Sequence, residues 1–230
     1  MTDSTNIASC SYGREMRDNH FLFAPTYTPL NHGSFGTYPK SVQKRLYEVQ
    51  ALSEARPDVF VRYQYPNMLD QSRAAIAEFL GLPLDEMVLV QNATTAVNIV
   101  LRSLRFETGD VILHLSTAYG AVEKTIRYLE ETTSVDSINV VVKYPINNDT
   151  LVEKFHTAIK AAKADGKRVK VASFDTVSSL PGVRVPFERL VEICKVEGVL
   201  SMLDGAHGVG NIELNLAGVQ PDFFYSNLHK

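Results

Sequence analysis

Cysteine is scarce in these 230 residues: Cys10 stands in a polar leader and Cys194 within a helical pattern. Two thiols so placed provide neither a disulfide framework nor a metal-ligand spacing, and they point to a reducing compartment. No stretch is long and apolar enough to span a bilayer. Residues 1–20, with Arg14, Glu15, Arg17 and Asp18, contain no apolar run of the secretory kind. A cytoplasmic protein without a membrane partner is expected. Charge of one sign is also lacking, since the formal net charge is −3, which argues against capture of nucleic acid. Absent too are G-x-G-x-x-G after the first predicted strand, G-x-x-x-x-G-K-[ST], G-x-S-x-G and H-E-x-x-H. Nucleotide, serine-hydrolase and zinc-protease readings therefore lack their central parts.

What is present is a globular composition, 45% hydrophobic and 21% charged, in a chain able to bury a large core. Residues 1–29 read as the polar leader. Asn31 to Gly36 is rich in glycine and flanked by prolines, and is expected to be a loop. Val42, Leu46, Val49 and Leu52 recur at the helical period and stop before Pro57, and a second amphipathic helix is expected over about 67–80. From there strand and helix alternate. Apolar runs at Met87–Val90, Val111–Leu113, Ile138–Val142, Val169–Phe174, Val199–Leu203 and Phe223–Tyr225 suit buried parallel strands, with helical patterns between most of them. The fold class is α/β, a three-layer architecture with a mostly parallel sheet, and residues 30–230 read as one layered domain.

In such a sheet ligands bind beyond the carboxyl ends of the strands. Four of these exits carry polar clusters. Gln91 to Thr95 ends a predicted strand and opens a helix with Thr94 and Thr95, which suits either a phosphate cradle or an ordinary helix cap. Asp204, followed by His207, places a carboxylate directly after an apolar strand, where it needs a cationic or N–H partner. Ser226, His229 and Lys230 follow the last strand. A lysine there becomes nucleophilic if desolvation or cationic neighbours lower its pKa, and is an exposed charge otherwise. The fourth exit, Asp175 to Gly182, offers hydroxyls, among them Ser179, that either hold a ligand oxygen or satisfy the loop.

Leu30 to Gly36, Asn92 to Thr95, Asp204 to His207 and Ser226 to Lys230 together resemble the class-V aminotransferase family of fold-type-I pyridoxal-phosphate (PLP) enzymes. The likeness is to the isopenicillin N epimerase-like branch, which includes C–S lyases of fungal ergothioneine biosynthesis and a loline alkaloid enzyme. The resemblance implies a PLP-binding large domain in which Lys230 carries the cofactor as a Schiff base and Asp204 pairs with the pyridinium nitrogen. Thr94, the backbone around Thr95, Ser226 and His229 would hold the phosphate, and Ser179 and His207 would lie near the phenolic oxygen. Tyr119 would stand over the ring or handle substrate protons, and Asn31 and His32 would face the substrate.

Family members continue past the lysine into a small C-terminal domain with a carboxylate-binding arginine, so the chain is read as an incomplete record of a longer enzyme. A homodimer is implied for the full length. The expected function is PLP-dependent chemistry on an amino acid or a derived intermediate, in alkaloid-type secondary metabolism or C–S lysis. The alternative is a catalytically incompetent fragment serving as an interaction partner.

Overall fold

The computed structural model describes residues 10–230; residues 1–9 of the expected leader lie outside the described residues. The described residues divide into two compact units, 10–76 with 229–230, and 77–228. The first unit is helical. In it are α1 (Arg14–His20), α2 (His32–Phe35), α3 (Lys40–Ala55), α4 (Pro57–Val59), a π-helical turn at Phe60–Gln64 and most of α5 (Tyr65–Leu80). The leader therefore contains a short helix. The segment expected as a loop at Asn31 to Gly36 holds a single helical turn, because the Asn31 side chain accepts from the Ser34 amide at 3.2 Å and caps it. α3 ends where expected, one residue before the Arg56–Pro57 step. Its stripe keeps the helical period, yet no residue of α3 is buried, and Ser41, Val42, Arg45, Leu46 and Val49 line a groove of about 450 Å³.

The second unit is built on five strands: β1 (Asp110–Leu115), β2 (Asp136–Val140), β3 (Arg168–Asp175), β4 (Leu200–Asp204) and β5 (Phe223–Tyr225). They are all parallel and run in the order β2-β1-β3-β4-β5. The connecting helices are α6 (Ala93–Ser103), α7 (Gly120–Thr132), α8 (Asn148–Ala164), α9 (Phe187–Glu197) and the short α10 (Leu216–Val219). One face of the sheet, with Ile112, Val171, Met202 and Tyr225, packs on Val97 and Leu101 of α6 and on Val122, Ile126 and Leu129 of α7. The alternate side chains meet α8 and α9; Phe155 of α8 sets its ring edge-to-face against Phe174 of β3, at 5.5 Å and 84°. The three-layer α/β reading thus holds. Burial on both faces is why these strands read as unbroken apolar runs.

Met87–Val90 departs from expectation. The segment is extended but joins no strand of the sheet, and Val88 and Val90 are exposed. An apolar run reports a demand for burial, but a strand also needs a ladder with a neighbour, and among the described residues this segment enters no ladder.

Two expectations for stability follow from this packing. Phe155 is completely buried, so Phe155→Ala should cost about 3–5 kcal/mol in urea unfolding, its transfer energy plus the cavity left against Phe174. At the opposite end of the sheet, buried Asp110 accepts from Arg168 Nε at 2.6 Å and from the Glu107 amide at 2.8 Å. Its carboxyl is lowered from 3.8 to about 2, chiefly by Arg168. A depressed pKa means a contribution that is present above about pH 4 and is lost as pH falls toward about 2. Asp110→Asn should therefore flatten the acid limb of a stability-versus-pH curve. Glu197, lowered to about 2 by Lys163 and His156, keeps the remainder.

Candidate active site

Parallel strands deliver their last side chains to one edge, and in the second unit that edge carries acid. Asp204 ends β4 and is only 5% exposed. Its Oδ1 accepts from the Ala206 amide at 2.8 Å, and its carbonyl accepts from both the amide and the hydroxyl of Thr176, at 2.8 and 3.1 Å. The turn that follows is tight. A Cβ on Gly205 would meet the Phe224 ring at 2.3 Å, and one on Gly208 would meet Thr176 Oγ1 at 2.5 Å. Ser226 Oγ donates to the Gly205 carbonyl at 2.6 Å and so ties the exit of β5 to that of β4. His207 lies half-buried in the same turn.

The start of α6 is joined to this edge by Asn227, whose Oδ1 accepts from the Ala93 amide at 3.1 Å. The cap of α6 is Asn92, not a threonine: its side chain takes the Thr95 amide at 2.8 Å and the Thr95 hydroxyl at 3.2 Å. Thr94 is exposed, and among the described residues neither its amide nor its hydroxyl donates a hydrogen bond. Of the two threonines, Thr94 is thus the one with donors to offer an anion. Tyr119 caps α7 at the exit of β1 and is about half exposed. After β3, Ser178 spends its hydroxyl on the Pro181 and Val183 carbonyls, whereas Ser179 is half-buried with no such bond among the described residues.

The second unit thus brings together Thr94, Thr95, Tyr119, Ser179, Asp204, His207 and Ser226. Asn31, His32, His229 and Lys230 belong to the first unit, and Lys230 follows the end of β5 by five residues in the chain. Asn31 serves there as the α2 cap, and the His32 ring packs edge-on to Phe21 at 6.3 Å.

Sequence reasoning passed over Asp175 and Tyr225. Each ends the strand beside β4 and stands in register with Asp204. Burial, and then the charge of Asp204, pushes the Asp175 carboxyl well above the usual carboxylate range. The Tyr225 hydroxyl is pushed up by the same causes; it lies beside Asp204 and Ser173 without reaching hydrogen-bond geometry. The available signal was that Phe174-Asp175 repeats the pattern of Leu203-Asp204. Among the described residues, the buried side-chain oxygens without a partner are Thr117 Oγ1, Tyr144 OH, Asp175 Oδ2 and Tyr225 OH. Thr117 and Tyr144 follow β1 and β2, so all four stand at or just beyond the carboxyl end of a strand. Orphaned buried oxygens are rare, and their gathering at one edge marks a place built for a polar ligand.

The family model for class-V aminotransferases matches residues 52–230. The chain belongs to that family. An L-cysteine desulfhydrase-like protein, lolT1, of Epichloe uncinata is 38% identical over 99% of this chain and 50% of its own length. Hercynylcysteine sulfoxide lyase of Schizosaccharomyces pombe is 29% identical over 95% of this chain and 54% of its own. Among solved structures, the cystine C–S lyase C-DES in complex with its product cysteine persulfide superposes with a TM-score of 0.78 over 86% of this chain and 52% of that one. At 18% identity it supports the fold alone. The chain spans about half the length of the curated relatives it matches. Class-V aminotransferases use pyridoxal phosphate, the cofactor expected from the sequence. The edge of this sheet fits it: a buried carboxylate suits a protonated ring nitrogen, Thr94 offers donors to a phosphate, and the unpartnered oxygens of Asp175 and Tyr225 belong to residues in register with that carboxylate on either side.

Proposed function

We propose that the chain is the cofactor-binding part of a PLP-dependent lyase that cleaves a carbon–sulfur bond in an amino acid or an amino-acid-derived intermediate of secondary metabolism. The observation that carries this reading is buried Asp204 at the carboxyl edge of a parallel sheet, whose exit turn is tied by Ser226 and the neighbouring Asn227 to the start of α6, where Thr94 has donors to offer. Support for sulfur comes from the names of the relatives, a desulfhydrase-like protein and a sulfoxide lyase.

Bound PLP supplies an electron sink for charge that develops at the substrate α-carbon. Asp204 keeps the ring nitrogen protonated, because an anion beside it favours its charged form. Thr94 and Thr95, with Ser226 and His229, would hold the phosphate; the Ser226 hydroxyl donates to the Gly205 carbonyl. Ser179 and His207 would hold the phenolic oxygen, and Tyr119 would serve the ring or the substrate protons. Asn31 and His32 meet the substrate. Lys230 would be the amine that holds the cofactor and the base and acid for the α proton. The Cys194 thiol is completely buried and pushed up to about 12 by burial, so it does not act as a sulfur acceptor.

The test is incubation of the protein with PLP and L-cysteine or a cysteine sulfoxide. Release of a sulfur product is expected, and racemisation or amino transfer without one would overturn the reading. A cytosolic setting suits the two free thiols, Cys10 and Cys194. A homodimer is supported by the uncovered stripe Val42, Leu46 and Val49 on α3. Light scattering should give twice the chain mass, and Leu46→Glu should halve it.

A further inference from the structure

We propose that Asp175 is a positioning residue that keeps its own proton and so leaves the negative charge of the site on Asp204. Asp175, Asp204 and Tyr225 end three adjacent parallel strands in register, so their backbones are about 4.8 Å apart and their side chains share a face. All three are nearly inaccessible, at 4%, 5% and 6% exposure. Two carboxylates this close and this dry do not both ionise.

The surroundings decide which of the two is charged. Asp204 receives an amide donor at 2.8 Å, which favours an anion. Asp175 Oδ2 receives none; its own backbone amide favours the anion, but burial and then the charge of Asp204 outweigh it and raise its pKa. Tyr225, on the other side of Asp204, holds its proton for the same reasons.

The other groups on this face are imidazoles, hydroxyls and an amide. Ser173 lies two residues back on β3, and buried His114 of β1 stands opposite it, with its ring nitrogen 3.2 Å from the Leu115 carbonyl. Asn98 of α6 and Thr125 of α7 bond each other at 3.0 Å. His207 follows Asp204 by three residues. A neutral Asp175 lets the anion on Asp204 face a cationic ligand nitrogen without a second buried charge to solvate.

The inference rests on the PLP reading for the ligand, but the location of the proton is measurable without it. A carboxyl whose pKa is raised by folding favours the fold most below about pH 4 and progressively less as pH rises through its folded value. Urea unfolding of the cofactor-free full chain should therefore show stability falling as pH rises from about 4 to about 8, and Asp175→Asn, isosteric and neutral, should remove much of that slope. In equilibrium titrations with PLP at about pH 7, Asp175→Asn should bind within about threefold of the wild type, and Asp175→Ala, which loses the side-chain support, about tenfold more weakly. Parallel stability curves for wild type and Asp175→Asn would overturn the proposal. So would Asp175→Asn binding PLP as weakly as Asp175→Ala, since the charge would then be what matters, or Asp175→Ala binding as tightly as the wild type. If no form binds PLP, the functional reading fails while the unfolding curves still locate the proton. If Asp175→Ala does not fold, the Asp175→Asn comparison decides.

Discussion

Lys230→Ala is expected to abolish covalent attachment of PLP and to slow turnover by at least about a thousandfold, the scale on which a general acid–base group contributes to rate. The loss should be larger than for any other single residue, because one amine is given two duties, holding the cofactor and moving the α proton. Borohydride reduction followed by peptide mass spectrometry checks the first duty. The adduct should map to the peptide containing Lys230 and vanish in the variant. The second duty is checked by adding a small primary amine, which should restore part of the turnover if the missing function is proton transfer. An adduct on any other of the chain's lysines would displace Lys230 from this role. Lys230 remains the assignment resting most on family likeness, whereas burial and a hydrogen bond add support to that of Asp204.

Asp204→Asn carries the second large effect. Removing one member of a buried ion pair leaves the other uncompensated and costs about 3–5 kcal/mol, which corresponds to a loss of PLP affinity by a factor of a few hundred to a few thousand. The amide keeps the size of the side chain and the acceptor for the Ala206 N–H at 2.8 Å, so the loss should appear in cofactor binding and not in folding. Without the cofactor the same variant should be at least as stable as the wild type near neutral pH, since the charge that opposes ionisation of Asp175 is gone. Equilibrium PLP titration and urea unfolding of one preparation separate the two effects. A variant that binds PLP normally, or that loses binding only because it unfolds, would contradict the assignment.

Most of the layered fold was legible because strands covered on both faces carry apolar runs of a length that helices rarely have. Val111–Leu113, Val169–Phe174 and Phe223–Tyr225 all fall within strands. Met87–Val90 gives the same local signal and forms no ladder, because pairing depends on a neighbour that a local pattern does not contain. The turn at α2 was missed for a related reason: a single side-chain bond from Asn31 outweighs the glycine content of Asn31 to Gly36. At the candidate site, Asp204 and Thr94 could be nominated from sequence because each follows an apolar run. Asp175 follows one too, but its meaning depends on being level with Asp204 across β3 and β4, and register between strands 29 residues apart in sequence is a tertiary property. The assignment of the α6 cap shows the converse. Threonine chemistry suggested capping, and the structure gives that duty to Asn92, which leaves Thr94 with donors to offer.

The most direct measurement of the central claim, that the carboxyl edge of this sheet binds PLP with Asp204 at the ring nitrogen, is the nitrogen-15 NMR shift of ring-labelled PLP bound to the protein. The account predicts a protonated ring nitrogen in the wild type and an unprotonated one in Asp204→Asn. The same shift in both proteins would contradict it.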